Sequence, residues 1–279
     1  MQMQNLKYYL KKAKKEKWAI GQFNFSTLDQ LRGILVASEN MKSPVILGTS
    51  EGESRYLGLE TISFLAKNAK NAFLNLDHGK NLDWIKEAVK CGYSAVHFDG
   101  SKLSFSENIR ITKKVVGYAS KKKVLTEGEI GVISGDSSVH KEILVVNKES
   151  LTDPEQAEEF VKKTKVDSLA IAIGSAHGVY AGLPSLDFER LEKIASLTDA
   201  FLVLHGGSGI DEQQLKKAIS LGIVKINVNT EIRSAWAEEI SLRIKEGEQK
   251  PYNVLEFAQK AVQKKVEEKI KIFGSFNKI

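Results

Sequence analysis

The chain alternates between short apolar runs and longer segments in which apolar positions recur with a helical period. Short apolar runs rich in branched residues and bounded by glycine or polar residues are typical of buried strands. Eight such runs predict eight strands, at residues 18–25, 45–49, 72–77, 94–98, 124–129, 168–173, 201–204 and 223–227.

The segments between these runs predict helices with one polar face, for example at residues 28–41, 81–90, 105–119, 154–163 and 211–220. Strands that are apolar on both faces are typical of an all-parallel sheet covered by helices. Eight strand–helix units favour a (β/α)8 TIM barrel, formed as a single domain by residues 1–279. A doubly wound sheet is the alternative that the same alternation leaves open.

Both ends of the chain predict helices with a structural role. Residues 5–16 have the pattern of an amphipathic helix, which we expect to cap the bottom of the barrel. Residues 253–273 predict a long closing helix.

Polar residues follow the predicted strands at the point where each strand ends. Because the active sites of (β/α)8 barrels lie at the carboxyl ends of the strands, this clustering predicts a catalytic face. The residues are Asn24, Ser50, Asp77 with His78, Asp99, Glu129, His205 and Asn227, with His177 shortly after the sixth strand.

Composition narrows the class of protein. The apolar share of 42% and the charged share of 27% are those of a globular protein. No apolar stretch is long enough to span a membrane and the N-terminus has no signal-peptide core, so we expect a cytosolic protein without a membrane partner. Cys91 is the only cysteine, which excludes an internal disulfide and a thiolate metal cluster.

The net charge of +6 does not by itself predict a nucleic-acid partner. The lysines are interleaved with glutamates along helical segments, and the densest basic runs, at residues 11–17 and 121–123, lack interleaved aromatic residues. We therefore expect a solvated surface and no nucleic-acid binding. A positive field would also suit a small anionic substrate.

Three of the five histidines, His78, His177 and His205, follow an apolar run and directly precede a glycine. A catalytic zinc ion usually has three protein ligands and one open position, so the three imidazoles predict a Zn²⁺ site, with Glu129 as a fourth or alternative ligand. Each histidine taken singly is more typical of a hydrogen-bonded rim residue. His97, inside a strand, and His140, in a polar loop, are interpreted as structural.

The loops after the seventh and eighth strands predict a phosphate site. A barrel commonly builds such a site there from loop amides and a helix N-terminus. Glycines at 206, 207 and 209 with Ser208 allow close backbone approach, and Asn227, Asn229 and Thr230 precede the next helix. Each loop alone is also typical of a tight turn or a helix N-cap.

A metal ion, a phosphate site and a free carboxyl group at Asp77 together suit chemistry through a stabilised enediolate. Both carbon–carbon bond cleavage and isomerisation fit this arrangement. Asp77 is alternatively a structural carboxylate that orients a neighbouring histidine.

With these motifs in place, nearly the whole chain resembles the class II, metal-dependent fructose-bisphosphate aldolases, a family that includes tagatose-bisphosphate aldolases. The matching segments are GQFN (21–24), SPVILG (43–48), LDHG (76–79), DGS (99–101), EGEIG (127–131), GSAHG (174–178), LHGGSGI (204–210), KINVNT (225–230) and FGS (273–275). The resemblance implies an aldolase that reversibly joins dihydroxyacetone phosphate to an aldehyde, with fructose 1,6-bisphosphate the favoured ketose.

The resemblance also implies roles for individual residues. Zn²⁺ would bind His78, His177 and His205, with Glu129 at the alternative metal position, and Asp77 would be the acid/base. Dihydroxyacetone phosphate would be held by Asn24, Gly178, Gly206, Ser208, Asn227 and Thr230, with Asn229 and Ser50 nearby. A monovalent cation, Na⁺ or K⁺, is expected at the phosphate loops, and the assembly is expected to be a homodimer or homotetramer.

Two departures from the family pattern affect a catalytic residue and the binding of the distal phosphate. The loop glutamate that moves the ketose carbon proton corresponds to Ser137, so Asp136, one residue earlier, is the candidate replacement. The arginine for the distal phosphate corresponds to the region 252–260, where Gln259 has neither the charge nor the bidentate grip of a guanidinium. We expect an aldehyde partner that is smaller, unphosphorylated or held by lysines.

Three alternatives differ from this hypothesis. One is an aldolase of another aldehyde specificity, of the tagatose-bisphosphate or keto-acid-phosphate type. Another is a sugar-phosphate-binding protein that has lost turnover through the loop change. A barrel metallohydrolase would also place histidines at strand ends, but it does not explain the phosphate loops.

Overall fold

The computed structural model describes residues 4–140, 147–180, 182 and 185–279, without the side chains of residues 136 and 137. Its strands are β1 (Ile20–Asn24), β2 (Val45–Ser50), β3 (Ala72–Gly79), β4 (Ala95–Phe98), β5 (Leu125–Ile130), β6 (Ser134–Val139), β7 (Ser168–Ile171), β8 (Ala176–Val179), β9 (Phe201–Leu204) and β10 (Ile223–Val228).

Eight of these strands form a closed barrel in the order β1-β10-β9-β7-β5-β4-β3-β2. Every neighbouring pair is parallel, for example β1 with β2 and β10 with β1. The closed (β/α)8 barrel expected from the sequence is therefore confirmed, and the doubly wound sheet is excluded.

The helices are α1 (Leu6–Glu16), α2 (Leu28–Asn40), α3 (Glu51–Leu57), α4 (Leu59–Ala66), α5 (Leu82–Lys90), α6 (Phe105–Ala119), α7 (Pro154–Thr164), α8 (Phe188–Leu197), α9 (Glu212–Ser220), α10 (Thr230–Lys245) and α11 (Pro251–Ile272). None of the helices in the described ranges combines the length and apolar character needed to cross a membrane.

Helix α1 closes the amino-terminal end of the barrel. It starts at Asn5, whose side chain accepts the N–H of Tyr8, and it buries one apolar stripe. The stripe forms one cluster with apolar residues at or near the start of the barrel strands: Ile20, Ile46, Phe73, Ala95, Leu125, Phe201 and Val224. This plug leaves the opposite end of the barrel as the open one.

Helix α11 packs along α2 and α10 on the outside of the barrel. At the α2 contact, Gly33 approaches α11 so closely that an added Cβ would lie 2.7 Å from the carbonyl oxygen of Gln259 and 3.0 Å from a methyl carbon of Val262. A side chain at this position would push the helices apart.

A second, two-stranded parallel sheet, β6 with β8, was not expected. It pairs Ser134 with Ala176 and Gly135 with His177. The segment expected to be a loop around Asp136 is therefore a strand beside His177. The side chain of Asp136 lies outside the described part of the chain.

Candidate active site

A cavity of about 500 Å³ lies at the carboxyl ends of the barrel strands. Thirteen of the fourteen site residues expected from the sequence line it: Asn24, Ser50, Asp77, His78, Glu129, His177, Gly178, His205, Gly206, Ser208, Asn227, Asn229 and Thr230. The fourteenth is Asp136. Residues far apart in the sequence therefore meet in one place because the barrel closes.

His78 occupies an unusual backbone conformation at the end of β3. Its φ of 49° lies in the left-handed region, which non-glycine residues rarely adopt. The pairing of β3 with β4 shifts register between Leu76 and Gly79, so the strand bulges at this point. Nδ1 of the His78 ring lies 3.1 Å from Oδ2 of Asp99, which leaves Nε2 facing the cavity.

His205, at the end of β9, is oriented by a buried carboxylate. Its Nε2 lies 2.8 Å from Oε1 of Glu127, and its Nδ1 lies 3.0 Å from Nε2 of His78. Two ring nitrogens approach this closely only when they share a positive centre, either a proton on one of them or a cation that both bind. The arrangement therefore fits a metal ion between them.

His177, in the second sheet, places its ring beside those of His78 and His205, but its nitrogens belong to neither group of donor atoms that lie close enough to share a metal ion. Its ring centroid lies 4.9 Å from that of His78 and 6.0 Å from that of His205, with the rings nearly perpendicular to each other. Burial and the neighbouring His78 and His205 lower the pKa of His177 to about 4. The ring is therefore neutral at physiological pH, the form in which histidine binds metals.

His97, interpreted from the sequence as structural, lies against the cluster. Its Nδ1 accepts the backbone N–H of His78 at 3.1 Å, and its Nε2 lies 3.2 Å from Oε2 of Glu129. The N–H of His78 requires a lone pair on Nδ1, so we place the ring proton on Nε2, facing Glu129. His140 stacks on Tyr180 and does not line the cavity.

The donor atoms form two overlapping groups able to hold a metal ion. One contains Asp77, His78, His97 and His205, and the other contains His78, Asp99 and Glu129. His78 belongs to both. Zinc and related divalent ions bind imidazole and carboxylate ligands, and the two groups offer two neighbouring positions for such an ion.

Asp77 is buried between two asparagines. Asn24 donates to its Oδ2 at 3.0 Å, and Asn227 donates to its Oδ1 at 3.2 Å. Burial raises the pKa of Asp77, but His78, His97 and His205 outweigh it and hold that pKa well below the usual range. The side chain is therefore an oriented carboxylate.

Glu127 and Lys225 form a buried ion pair that the sequence analysis missed. Nζ of Lys225 lies 2.6 Å from Oε2 of Glu127, and both side chains are almost fully buried. Burial raises the pKa of Glu127, but Lys225 and His205 lower it far more. Charged residues inside two apolar strand runs were the signal, because they face the barrel interior rather than solvent.

The candidate phosphate loops have two features that bear on ligand binding, a position that only glycine fits and buried oxygens without a partner. An added Cβ at Gly206 would lie 2.1 Å from the carbonyl oxygen of Ala176, and the φ of Gly206 is 64°, so only glycine fits. Asn229 precedes α10 without making a side-chain cap. The side-chain oxygens Asn229 Oδ1, Asn227 Oδ1 and Ser175 Oγ are buried without a hydrogen-bond partner. Unsatisfied buried acceptors are costly and mark a place for a ligand or cation.

Glu231 occupies part of this region. Its Oε1 accepts the N–H of Gly209 at 2.8 Å, and its own N–H points at Oγ of Ser208. Lys269 from α11 pairs with the same carboxylate at 2.8 Å. The Gly209 amide is therefore used within the protein, while no side chain among the described residues accepts the N–H of Gly206.

Comparison with known proteins agrees with this geometry. The family model "Fructose-bisphosphate aldolase class-II" matches residues 4–278. Over 250 residues the chain is 42% identical to a fructose-bisphosphate aldolase of Geobacillus stearothermophilus, covering 86% of this chain and 85% of the relative. It is 40% identical to a 6-phospho-5-dehydro-2-deoxy-D-gluconate aldolase of Shouchella clausii, covering 95% and 92%.

Among solved structures, the YdjI aldolase from Escherichia coli K12 superposes with a TM-score of 0.86 at 33% identity, covering 99% of both chains.

Proposed function

Because the chain belongs to the class II fructose-bisphosphate aldolase family, whose members are metal-dependent lyases, we propose that it is a zinc-dependent aldolase that reversibly joins dihydroxyacetone phosphate to an aldehyde. The observation that supports this most directly is the 3.0 Å approach of His78 Nε2 to His205 Nδ1, with the His177 ring beside them. Asp99 contacts Nδ1 of His78 and Glu127 contacts Nε2 of His205. The other nitrogen of each ring is therefore free, and these two nitrogens face each other.

The proposed metal ligands are His78, His177 and His205, with Glu129 at an alternative position 3.8 Å from Nδ1 of His78. When bound, a divalent ion supplies Lewis acidity that stabilises the negative charge developing on the substrate's ketone oxygen. The protein's part is to orient the imidazoles, which Asp99 does for His78 and Glu127 does for His205.

Asp77 is the proposed acid/base. An ionised carboxylate held by Asn24 and Asn227 is suited to accept the proton of the hydroxyl next to the bond that breaks, and to return it in the reverse direction. The two amides fix its orientation before substrate arrives.

The phosphate of dihydroxyacetone phosphate is proposed to bind at Gly178, Gly206, Ser208, Asn227, Asn229 and Thr230, with Ser50 nearby. Support comes from the glycine-only position at 206 and from the N-terminus of α10, where backbone N–H groups favour an anion. The unpartnered oxygens of Asn227, Asn229 and Ser175 support an accompanying Na⁺ or K⁺.

Membership of the family does not identify the aldehyde that the protein would join to dihydroxyacetone phosphate. Relatives of about 40% identity carry two different substrate names, one a fructose bisphosphate and the other a phosphorylated deoxygluconate. Fructose 1,6-bisphosphate is the reference ketose to assay, beside tagatose 1,6-bisphosphate and ketose 1-phosphates.

The proposal is tested by metal analysis together with cleavage assays on this panel. We expect about one zinc per chain, cleavage of at least one ketose phosphate, and loss of both in a His177→Ala variant. Absence of any bound divalent ion and of cleavage on every ketose would overturn it.

A second candidate is a sugar-phosphate-binding protein without turnover, favoured by Ser137 at the position of the loop glutamate. It predicts that the zinc-loaded protein binds dihydroxyacetone phosphate but does not exchange its carbon-bound proton in deuterated water. Exchange seen by NMR would exclude it. An Asp136→Asn variant then shows whether Asp136 moves that proton.

We further propose that the chain works as one barrel domain in a homodimer or homotetramer in the cytosol, without nucleic-acid or membrane partners. Light scattering on the purified protein measures the assembly.

A further inference from the structure

Glu53 is a carboxyl group in the cavity wall that neither the metal site nor the phosphate loops use. It lies in the first turn of α3, directly after β2. Its Oε2 accepts the N–H of Ser50 at 2.7 Å and an N–H of Asn24 at 3.1 Å. The Asn24 amide also donates to Asp77, so Glu53 lies one side chain away from the proposed acid/base.

The other carboxyl oxygen, Oε1, makes no hydrogen bond within the described ranges of the chain. It is also absent from the buried unsatisfied atoms, so it is accessible to solvent, and Glu53 is one of the residues that line the cavity. A carboxylate oxygen at a cavity wall accepts a hydrogen bond from a hydroxyl group and repels a phosphate.

The cations that line the cavity do not neutralise Glu53. They are Lys80, Lys102 and Arg233, and none of them forms an ion pair with it among the described residues. Lys80 lies 4.0 Å from Asp99. The region 252–260, where the family's distal-phosphate arginine would stand, contributes no residue to the described cavity wall. A second phosphate beside Glu53 would therefore meet a carboxylate that no ion pair among the described residues neutralises.

We propose that Glu53 determines the aldehyde specificity, and that the preferred partner of dihydroxyacetone phosphate is an unphosphorylated hydroxyaldehyde whose hydroxyl donates to Oε1. This inference rests on the proposed aldolase function and specifies the second substrate of the same site. It makes the preferred product of condensation a ketose 1-phosphate rather than a ketose bisphosphate.

The test measures kcat/KM of the zinc-loaded protein for condensation of dihydroxyacetone phosphate with glyceraldehyde and with glyceraldehyde 3-phosphate. We expect the wild type to prefer glyceraldehyde by at least about tenfold, and Glu53→Gln to narrow this ratio by about tenfold, the usual effect of one charged hydrogen bond. Glutamine also serves at this position of a capping box, so α3 is retained. Glu60→Gln, an exposed carboxyl on α4 outside the cavity wall, is the matched control and leaves the ratio unchanged.

A second pair of aldehydes separates hydrogen bonding from charge repulsion. Glycolaldehyde has a hydroxyl that acetaldehyde lacks, and neither is charged. Glu53→Ala is expected to reduce the preference for glycolaldehyde over acetaldehyde by about tenfold.

A wild-type preference for the phosphorylated aldehyde, or a ratio that Glu53→Gln leaves unchanged, would overturn the inference. Proton exchange on dihydroxyacetone phosphate distinguishes a failure of the Glu53 proposal from a failure of the aldolase function. Exchange without the expected preference contradicts only the role of Glu53, whereas absence of both exchange and condensation contradicts the aldolase function and, with it, this inference.

Discussion

At the scale of single residues, two carboxylates orient the rings of His78 and His205 and so determine which nitrogen of each ring faces the cavity. Asp99 engages Nδ1 of His78, and Glu127 engages Nε2 of His205. The opposite nitrogens are then the ones available to a metal ion, an arrangement of outer carboxylates that is common around histidine ligands. Lys225 holds Glu127 in turn.

Glu127→Gln is predicted to weaken zinc binding by about 10- to 100-fold, because the amide no longer fixes the His205 ring as strongly. It also leaves Lys225 as an unpaired buried charge, which is expected to lower the free energy of unfolding by about 3–5 kcal/mol. The double variant Glu127→Gln/Lys225→Met should recover stability but not zinc affinity. Chelator competition and denaturant unfolding measure the two effects, and unchanged zinc affinity in both variants would contradict the orienting role.

Glu53 predicts a pH dependence of stability. Burial is the largest influence on its pKa and raises it above the unfolded value. The folded protein therefore holds this proton more tightly, and the free energy of unfolding falls as pH rises from the unfolded pKa through the folded pKa. Glu53→Gln should therefore raise the Tm of the metal-free protein more at pH 8 than at pH 4. An equal difference at both pH values would contradict this.

The sequence predicts the residues at strand ends better than those inside strands. His78, His177 and His205 each precede a glycine after an apolar run, a pattern visible without a structure. His97 and Lys225 lie within their runs, where an inward-facing polar residue has the same appearance whether it serves the site or the core. Their role depends on which strands are neighbours, and only the register of the barrel gives that.

At the scale of elements, the eight barrel strands follow from apolar runs, but β6 and β8 do not. Residues 134–138 read Ser-Gly-Asp-Ser-Ser, residue types with little strand preference. Their pairing depends on the partner strand that carries His177 and Gly178. Tertiary context therefore overrides local preference where, in the part of the chain that the structure describes, a second sheet is added to the barrel.

The contact between α2 and α11 gives a prediction about helix packing. Gly33→Ala is expected to destabilise the protein by about 1–3 kcal/mol, because the added methyl meets the backbone of α11. Gly117→Ala in α6, where an added Cβ meets nothing within 4 Å, is the control and should stabilise by about 0.5–1 kcal/mol. Thermal unfolding measures both. Equal effects of the two substitutions would show that the helices do not pack as closely as described.

At the scale of the whole molecule, the closed barrel determines where chemistry occurs. Helix α1 fills the amino-terminal end with apolar side chains, so the cavity at the carboxyl end is where polar residues from different strands converge. The eight strand–helix units in the sequence favour this architecture, and the closed strand order decides it against a doubly wound sheet. The alternation does not identify the aldehyde, which we propose depends on cavity-wall residues such as Glu53.

Removal of zinc is predicted to lower the Tm. A ligand present at about 100 times its Kd stabilises the folded state by about 2.7 kcal/mol, which corresponds to a loss of about 5–10 °C on chelation. The His177→Ala variant serves as the control, because weakened binding should make its Tm nearly insensitive to chelator. A wild-type Tm unaffected by chelation would contradict a resident metal that links three strands.

The most direct test of the central claim is anomalous diffraction at the zinc edge from crystals of the zinc-loaded protein. The account predicts one strong peak within bonding distance of Nε2 of His78, Nδ1 of His205 and the ring of His177, beside Asp77. A peak at another place, or no peak in that cavity, would contradict the claim that these three imidazoles share one ion.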